Sequence, residues 1–167
     1  MIIETPRLLL RPFTENDSQY WYELPQDPEI VKYVPYAVVS SVKDSLETIK
    51  NYYIKGDFRR DFYMVIESKE NHDMIGAIIA TTNSDFDLDM SLVMSKNYRH
   101  SGYMKEAVMT FCSTIKHQDF VFIVKDDNIP SLSLMKAIGA HESPYGVKGE
   151  RRFFIMWYSV TIKKAPT

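Results

Sequence analysis

The feature that most constrains this chain is a strand that feeds a polar loop, an amphipathic helix and a second apolar strand. Residues 92–94 are apolar and residues 95–102 are polar, after which Met104, Val108, Phe111 and Ile115 recur at helical spacing. Residues 120–124, Phe-Val-Phe-Ile-Val, form the continuous apolar run of a strand buried on both faces. Two strands joined through a helix can lie parallel, because a crossover of this length returns the chain in the same direction. The loop before the helix therefore aims several unpaired backbone N–H groups at one spot. With the helix dipole, these groups suit an anion, phosphate above all. Gly102 falls where a missing Cβ lets backbone approach a ligand, and Arg99 stands as a possible second clamp. The same spacing also fits an ordinary strand-to-helix turn.

The rest of the chain fills in a sheet around this unit. Residues 7–13 read as a first strand closed by Pro12. Thr14 and Asp17 form a capping-box pair ahead of a helix carrying Tyr20, Trp21 and Leu24. Asp27-Pro28 starts a second, short helix, stopped by Pro35. Ser41 caps a third, with Val42, Leu46, Ile49 and Tyr53 on one face and Gly56 as its stop. Residues 62–67 and 74–82 read as strands. Residues 85–94 alternate, placing Phe86, Leu88, Met90, Leu92 and Met94 on one face and Asp85, Asp87, Asp89 and Ser91 on the other. A helix over 131–138 with Gly139 past its end follows, then strands over 140–147 and 150–161. This predicts an α/β (α+β) domain spanning residues 1–167. Its mostly antiparallel sheet is flanked by helices and holds one parallel crossover between residues 86–94 and 119–125.

Composition narrows the function. The chain has 167 residues, 45% of them hydrophobic and 25% charged, as in ordinary globular domains. A formal net charge of −2 speaks against a nucleic-acid partner held by phosphate neutralisation. The single cysteine, Cys112, excludes an intramolecular disulfide and falls on the inward stripe of its helix. No apolar run is long enough to span a bilayer, and the N-terminus lacks signal-peptide character, so a cytoplasmic protein without membrane partners is expected. His72, His100, His117 and His141 show no metal-ligand spacing, and no metal is expected.

The loop is neither a Walker loop nor a dinucleotide fingerprint. Arg99-x-x-Gly102-x-Met104 instead resembles the Arg/Gln-x-x-Gly-x-Gly/Ala signature of the GCN5-related N-acetyltransferases (GNAT family). Tyr103-Met104-Lys105-Glu106-Ala107 looks like the family's Tyr-Ala-Thr-Glu-Ala. Met104 and His100 depart from the family's small residues. Residues 4–12, Glu-Thr-Pro-Arg-Leu-Leu-Leu-Arg-Pro, are similar to the opening of the ribosomal-protein alanine/serine N-acetyltransferase-like branch. Asn128-x-x-Ser131, with Gly139 eight positions after the serine, resembles that branch's later motif. The order of elements is also the family's.

The resemblance implies acetyl-CoA as co-substrate, held by Leu92, Val93, Met94, Arg99, His100, Ser101, Gly102, Tyr103, Met104, Asn128 and Ser131. Backbone N–H groups near Val93 and Met94 would hold the thioester carbonyl on a splayed strand. Asp89 matches a base position, although it also fits a solvated hairpin face. Ser131 could donate to the departing sulfur or simply cap its own helix. Relatives often carry a Tyr acid in that helix, where Met135 stands here. Trp21, Tyr33 and Tyr36, with Tyr20 beside them, would line an acceptor cleft, or else pack in the core. The expected reaction is direct transfer of acetyl to a primary amine, foremost a protein N-terminal α-amine. Alternatives are an acyl-CoA-binding module with little turnover, transfer to a polyamine or aminoglycoside, or another nucleotide-phosphate binder. A monomer and a homodimer are equally compatible with the sequence.

Overall fold

The structure is a computed structural model that describes residues 1–56, 60–115, 119–143 and 151–156. The chain opens with β1 (Ile3–Glu4) and β2 (Leu8–Pro12), and then builds three short helices, α1 (Ser18–Glu23), α2 (Pro28–Tyr33) and α3 (Val42–Thr48). Three antiparallel strands follow, β3 (Phe62–Ser68), β4 (Met74–Thr82) and β5 (Leu88–Met94). Helix α4 (Tyr103–Thr114), β6 (Phe120–Lys125), α5 (Ile129–Ile138), β7 (His141–Glu142) and β8 (Arg151–Met156) complete it. One sheet runs β1-β2-β3-β4-β5-β6-β8-β7, and β5–β6 is its parallel pair. The crossover therefore lies where the periodicity put it.

Local chemistry explains the helix starts. Thr14 and Asp17 form the expected capping box. Asp27 accepts from the N–H of Glu29 at 2.9 Å, and Ser41 Oγ accepts from that of Asp44 at 3.1 Å. Gly139 closes α5 in the left-handed region, φ 73°.

Three expectations need correction. Residues 85–87 are a turn, not strand. Asn83 Oδ1 accepts from the N–H groups of Asp85 and Asp87, an Asx-type capture that curls the backbone. Phe86 has φ 66° and is 68% exposed, so it leaves the inward face assigned to it. The third helix does not continue as an α-helix to Gly56: residues 49–54 wind as a π-helix. That stretch brings Tyr53 into a stack on Tyr63 with ring centroids 4.7 Å apart. Finally, β1 precedes the first expected strand and pairs with it, Ile3 opposite Leu10. Residues 144–147, 150 and 157–161, expected to belong to the last two strands, lie outside the described residues, as does His117.

The core lies on both faces of the sheet. On one face Leu8, Ile66, Ile78, Leu88 and Phe120 pack beneath Val108, Phe111 and Cys112 of α4 and Met135 of α5. On the other, Val65 and Ala77 meet Phe13, Trp21 and Ile49. Burying each such side chain contributes roughly 1.5–3 kcal/mol. Among the described residues, no helix is long and apolar enough to cross a membrane.

Candidate active site

The site begins where two strands part. The parallel ladder of β5 and β6 holds only Leu88↔Phe120 and Asp89↔Val121, while β5 stays paired with β4 as far as Gly76↔Met94. The N–H of Leu88 bonds Asp119 across the β6 edge, and that of Ser95 bonds Ile75 across the β4 edge. Backbone direction alternates along a strand. The peptide groups of Leu92 and Met94 therefore face the gap, and that of Val93 faces β4. Of the two residues near which donors were expected, Met94 turns its N–H to the gap and Val93 lines the opposite cleft with its side chain.

Gly76 makes this edge possible. A Cβ on it would stand 2.4 Å from the Val93 carbonyl oxygen and 3.3 Å from Met94 Cα. Backbone cannot yield there cheaply, so the strand end can sit as it does only against glycine.

Two clefts of about 750 Å³ and 760 Å³ flank the gap. The first gathers Leu92, Met94, Arg99, His100, Gly102, Tyr103 and Met104 with Asn128 and Ser131 of the β6–α5 side. The second lies on the opposite face, with Asp89, Ser91 and Val93 of β5 beneath Trp21, Tyr52, Tyr53 and Tyr63. Tyr33 and Val34 border both. Nearly all the residues singled out from sequence thus converge on one slot and its two mouths. Trp21 is a core residue that touches its cleft from below, being 1% exposed. Tyr20 stands apart from both clefts and donates to Asp73. The side chain of Tyr36 lies outside the described part.

The loop before α4 is built for an anion. None of the N–H groups of residues 100–105 finds an acceptor among the described residues; the first bond of the helix is Glu106 N–H to Gly102 O, 3.0 Å. His100 (φ 61°) and Gly102 (φ 78°) both take left-handed backbone. Alternation of that kind curls successive N–H groups toward a common concave side. A Cβ at Gly102 would meet only Arg7 Nη2, at 3.5 Å, so conformation rather than space calls for glycine. The Ser101 carbonyl accepts from Arg7 Nη1 at 3.0 Å. Met104 is half-buried against the core beneath α4.

The N-terminal turn clasps this loop. Glu106 accepts from Thr5 Oγ1 (2.6 Å), Arg7 N–H (3.0 Å) and Arg7 Nε (2.7 Å). Arg7 also lies over the Tyr103 ring, 4.1 Å from its centroid. Burial raises the Glu106 pKa, but these three donors outweigh it and hold the carboxyl below the usual Glu range.

Helix α2 bridges the open gap. Arg99, just past β5, donates to the Met94 carbonyl (3.1 Å) and bonds Asp27 (3.0 Å) and Glu29 (2.8 Å) at the helix start. Asp127, just past β6, takes Lys32 Nζ at 2.5 Å and the Tyr33 hydroxyl at 3.1 Å at the helix end. The expected phosphate clamp thus ties the strand end to α2. Sequence reasoning missed both latches, the Arg7–Glu106 clasp and Gly76.

Asn128 Oδ1 accepts from Ser131 N–H at 3.2 Å, capping α5, and Ser131 Oγ bonds no group among the described residues. Asp89 accepts from Asn83 Nδ2 at 2.9 Å. Its neighbour Asp87 has its pKa raised by burial, then by Asp119, Asp85 and Asp89. Cys112 is 3% exposed and its thiol is pushed up by burial, which leaves it inert.

An N–H cradle at a helix start, beside a strand edge with open peptide groups, is the arrangement of an acyl-CoA-dependent acyltransferase. Residues 7–141 match the family described as "Acetyltransferase (GNAT) domain", and the chain belongs to that family. It is 30% identical over 144 residues to an uncharacterized N-acetyltransferase, YnaD, of Bacillus subtilis (strain 168), which covers 83% of this chain and 82% of that one. It is similar in structure to a GNAT-family acetyltransferase from Bacillus anthracis (TM-score 0.77, 19% identity, 95% and 99% of the two chains). It is equally similar to RimL, a ribosomal L7/L12 α-N-protein acetyltransferase in complex with coenzyme A (TM-score 0.77, 13% identity, 93% and 97%). The chain is an acetyl-CoA-dependent N-acetyltransferase.

Proposed function

We propose that the acceptor is the α-amine of a peptide or protein N-terminus. The observation that carries this reading is the position of Asp89. It is the acidic side chain that lines the aromatic cleft, on the same strand as the open N–H groups of Leu92 and Met94. Acetyl-CoA would supply a thioester carbonyl for direct attack by the amine. The residues of the 99–105 loop would hold its pyrophosphate, together with Asn128. Leu92 and Met94 N–H would donate to the carbonyl oxygen, so that developing negative charge meets oriented donors. Asp89 would take the proton from the attacking amine, directly or through water. Ser131 lines the cofactor cleft, and its Oγ would donate to the departing sulfur. Inert Cys112 agrees with transfer that makes no acetyl-enzyme.

One weak base suits an easily deprotonated amine. Freeing an α-amine of pKa about 8 at neutral pH costs roughly 1–2 kcal/mol, against roughly 4–5 for a lysine of pKa about 10.4. RimL, described as an α-N-protein acetyltransferase, supports the same acceptor class. A second reading, a domain that binds acyl-CoA with little turnover, draws on Met135. It is 1% exposed in the core, where relatives place a Tyr acid. Peptides with free and with blocked N-termini, assayed side by side for thiol release, test both. Release with the free N-terminus alone supports the proposal. Equal rates on a blocked, lysine-bearing peptide overturn it, and no release with any peptide favours the binding domain.

A further inference from the structure

The acceptor cleft is charged in opposite senses at its two ends. Asp89 stands at one end, level with Val121 in the β5–β6 ladder. Asp87 stands behind it, with its pKa raised by burial and by the nearby Asp119, Asp85 and Asp89. Lys125 and Arg151 also line the cleft. They are direct partners in the β6–β8 ladder, so their side chains leave the same face of the sheet. Lys125 is four residues beyond Val121, about 13 Å further along β6.

Among the described residues, neither cation makes an ion pair. Lys125 Nζ reaches the Lys32 carbonyl at 3.5 Å and stands 6.0 Å from the Tyr33 ring centroid. The carboxylates nearby are engaged elsewhere: Asp127 binds Lys32, and Asp126 and Glu142 bind Arg152 on the other face. Two like charges directly opposite on a sheet destabilise it unless something neutralises them. Between the two ends, Ser91 and Val93 of β5 and Ile123 of β6 line the cleft, a largely apolar floor for a stem.

Resting on the amine-acceptor reading above, we infer that the acceptor bears a carboxylate as well as its amine, bound at Lys125 and Arg151 while the amine faces Asp89. An extended peptide covers about 13 Å in roughly four residues, so an acidic side chain near the fourth position of an N-terminus fits the span. A polyamine or aminoglycoside would meet Lys125 and Arg151 as repulsion.

The test uses the full chain with coenzyme A and calorimetric binding of two amidated hexapeptides, alike except for Glu or Gln at positions three to five. A second pair, 10-aminodecanoate and decylamine, shows whether a small amino acid long enough to span the same distance supplies the carboxylate. The acid-bearing member of either pair should bind about tenfold tighter, and the double variant Lys125→Ala/Arg151→Ala should equalise the pair. Equal binding within both pairs overturns the inference, and so does a preference that survives in the double variant. Tighter binding of the Glu peptide without acetyl transfer would support the charged cleft and count against the N-terminal reading alone.

Discussion

Arg7 Nε donates to Glu106 at 2.7 Å, and this contact ties the second strand's approach to the first turn of the cradle helix. The two residues are 99 positions apart. With Thr5 they join the opening Thr-Pro-Arg segment to the Glu of the loop motif, so two sequence motifs are one structural device. Charge-assisted bonds of this kind contribute about 1.5–3 kcal/mol when shielded, less here because Arg7 is 43% exposed. Glu106→Gln should raise the acetyl-CoA KM about three- to tenfold, with kcat changed less. The carboxyl is held below its ordinary range, so its stabilisation is present above the unfolded pKa and is lost as pH falls through the folded one. Melting scans should show wild type losing its advantage over Glu106→Gln only in acid, below the usual Glu range. A constant gap across that range contradicts the clasp.

Arg99 latches the start of α2 through Asp27 and Glu29, and it also caps the Met94 carbonyl. Arg99→Ala should speed amide exchange over residues 28–33 and raise the acetyl-CoA KM roughly tenfold. Asp27→Asn keeps the N-cap while weakening the ion pair. It should speed the same exchange with little change in KM. Unchanged exchange in Arg99→Ala would show that α2 is held otherwise.

Gly76→Ala should distort the end of β5, because the new Cβ would sit 2.4 Å from a backbone oxygen. A cost of about 1–3 kcal/mol is expected, the usual penalty of overpacking. Activity should fall further than the melting temperature implies, since the shifted backbone carries Met94. Full activity in a stably folded Gly76→Ala would remove the strand edge from the mechanism.

Ser131→Ala should lower kcat more than it weakens acetyl-CoA binding if Oγ donates to the departing sulfur. The α5 cap survives the change, because Asn128 bonds the backbone N–H of residue 131. Equal losses in binding and in kcat/KM would make Ser131 a positioning residue.

Elements with strong period were legible in the sequence. The fourth strand, Met74–Thr82, has the predicted limits, and the helix starts at Asp27 and Ser41 follow from single polar side chains beside the chain they cap. Alternation failed at Phe86 because Asn83 offers the backbone a competing turn, a signal that was present in the Asn itself. The lining of the first cleft was legible because most of its residues lie in two contiguous motifs. The lining of the second cleft was legible only in part, at Asp89, Trp21 and Tyr33. Lys125 ends an apolar run, Arg151 opens another, and Tyr53 and Tyr63 meet only after a π-helical turn. Ion pairs between residues about 70 to 100 positions apart, such as Arg99–Glu29 and Lys32–Asp127, leave no local pattern. Gly76, a lone glycine within a strand, was a readable sign of close backbone approach.

On the proposed reading, the curled 100–105 loop holds the pyrophosphate of acetyl-CoA on its backbone N–H groups. Gly102, at φ 78°, is the residue on which that curl depends, and a β-branched side chain cannot take its conformation without strain. Calorimetric titration of acetyl-CoA into wild type and Gly102→Val is the direct measurement, with ATP and NAD as competitors and circular dichroism to confirm the fold. The account predicts a loss of at least about fiftyfold in affinity in a folded variant, roughly 2.3 kcal/mol, and no competition by ATP or NAD at matched concentration. Equal affinity in the two proteins, or displacement of acetyl-CoA by ATP or NAD, would contradict it.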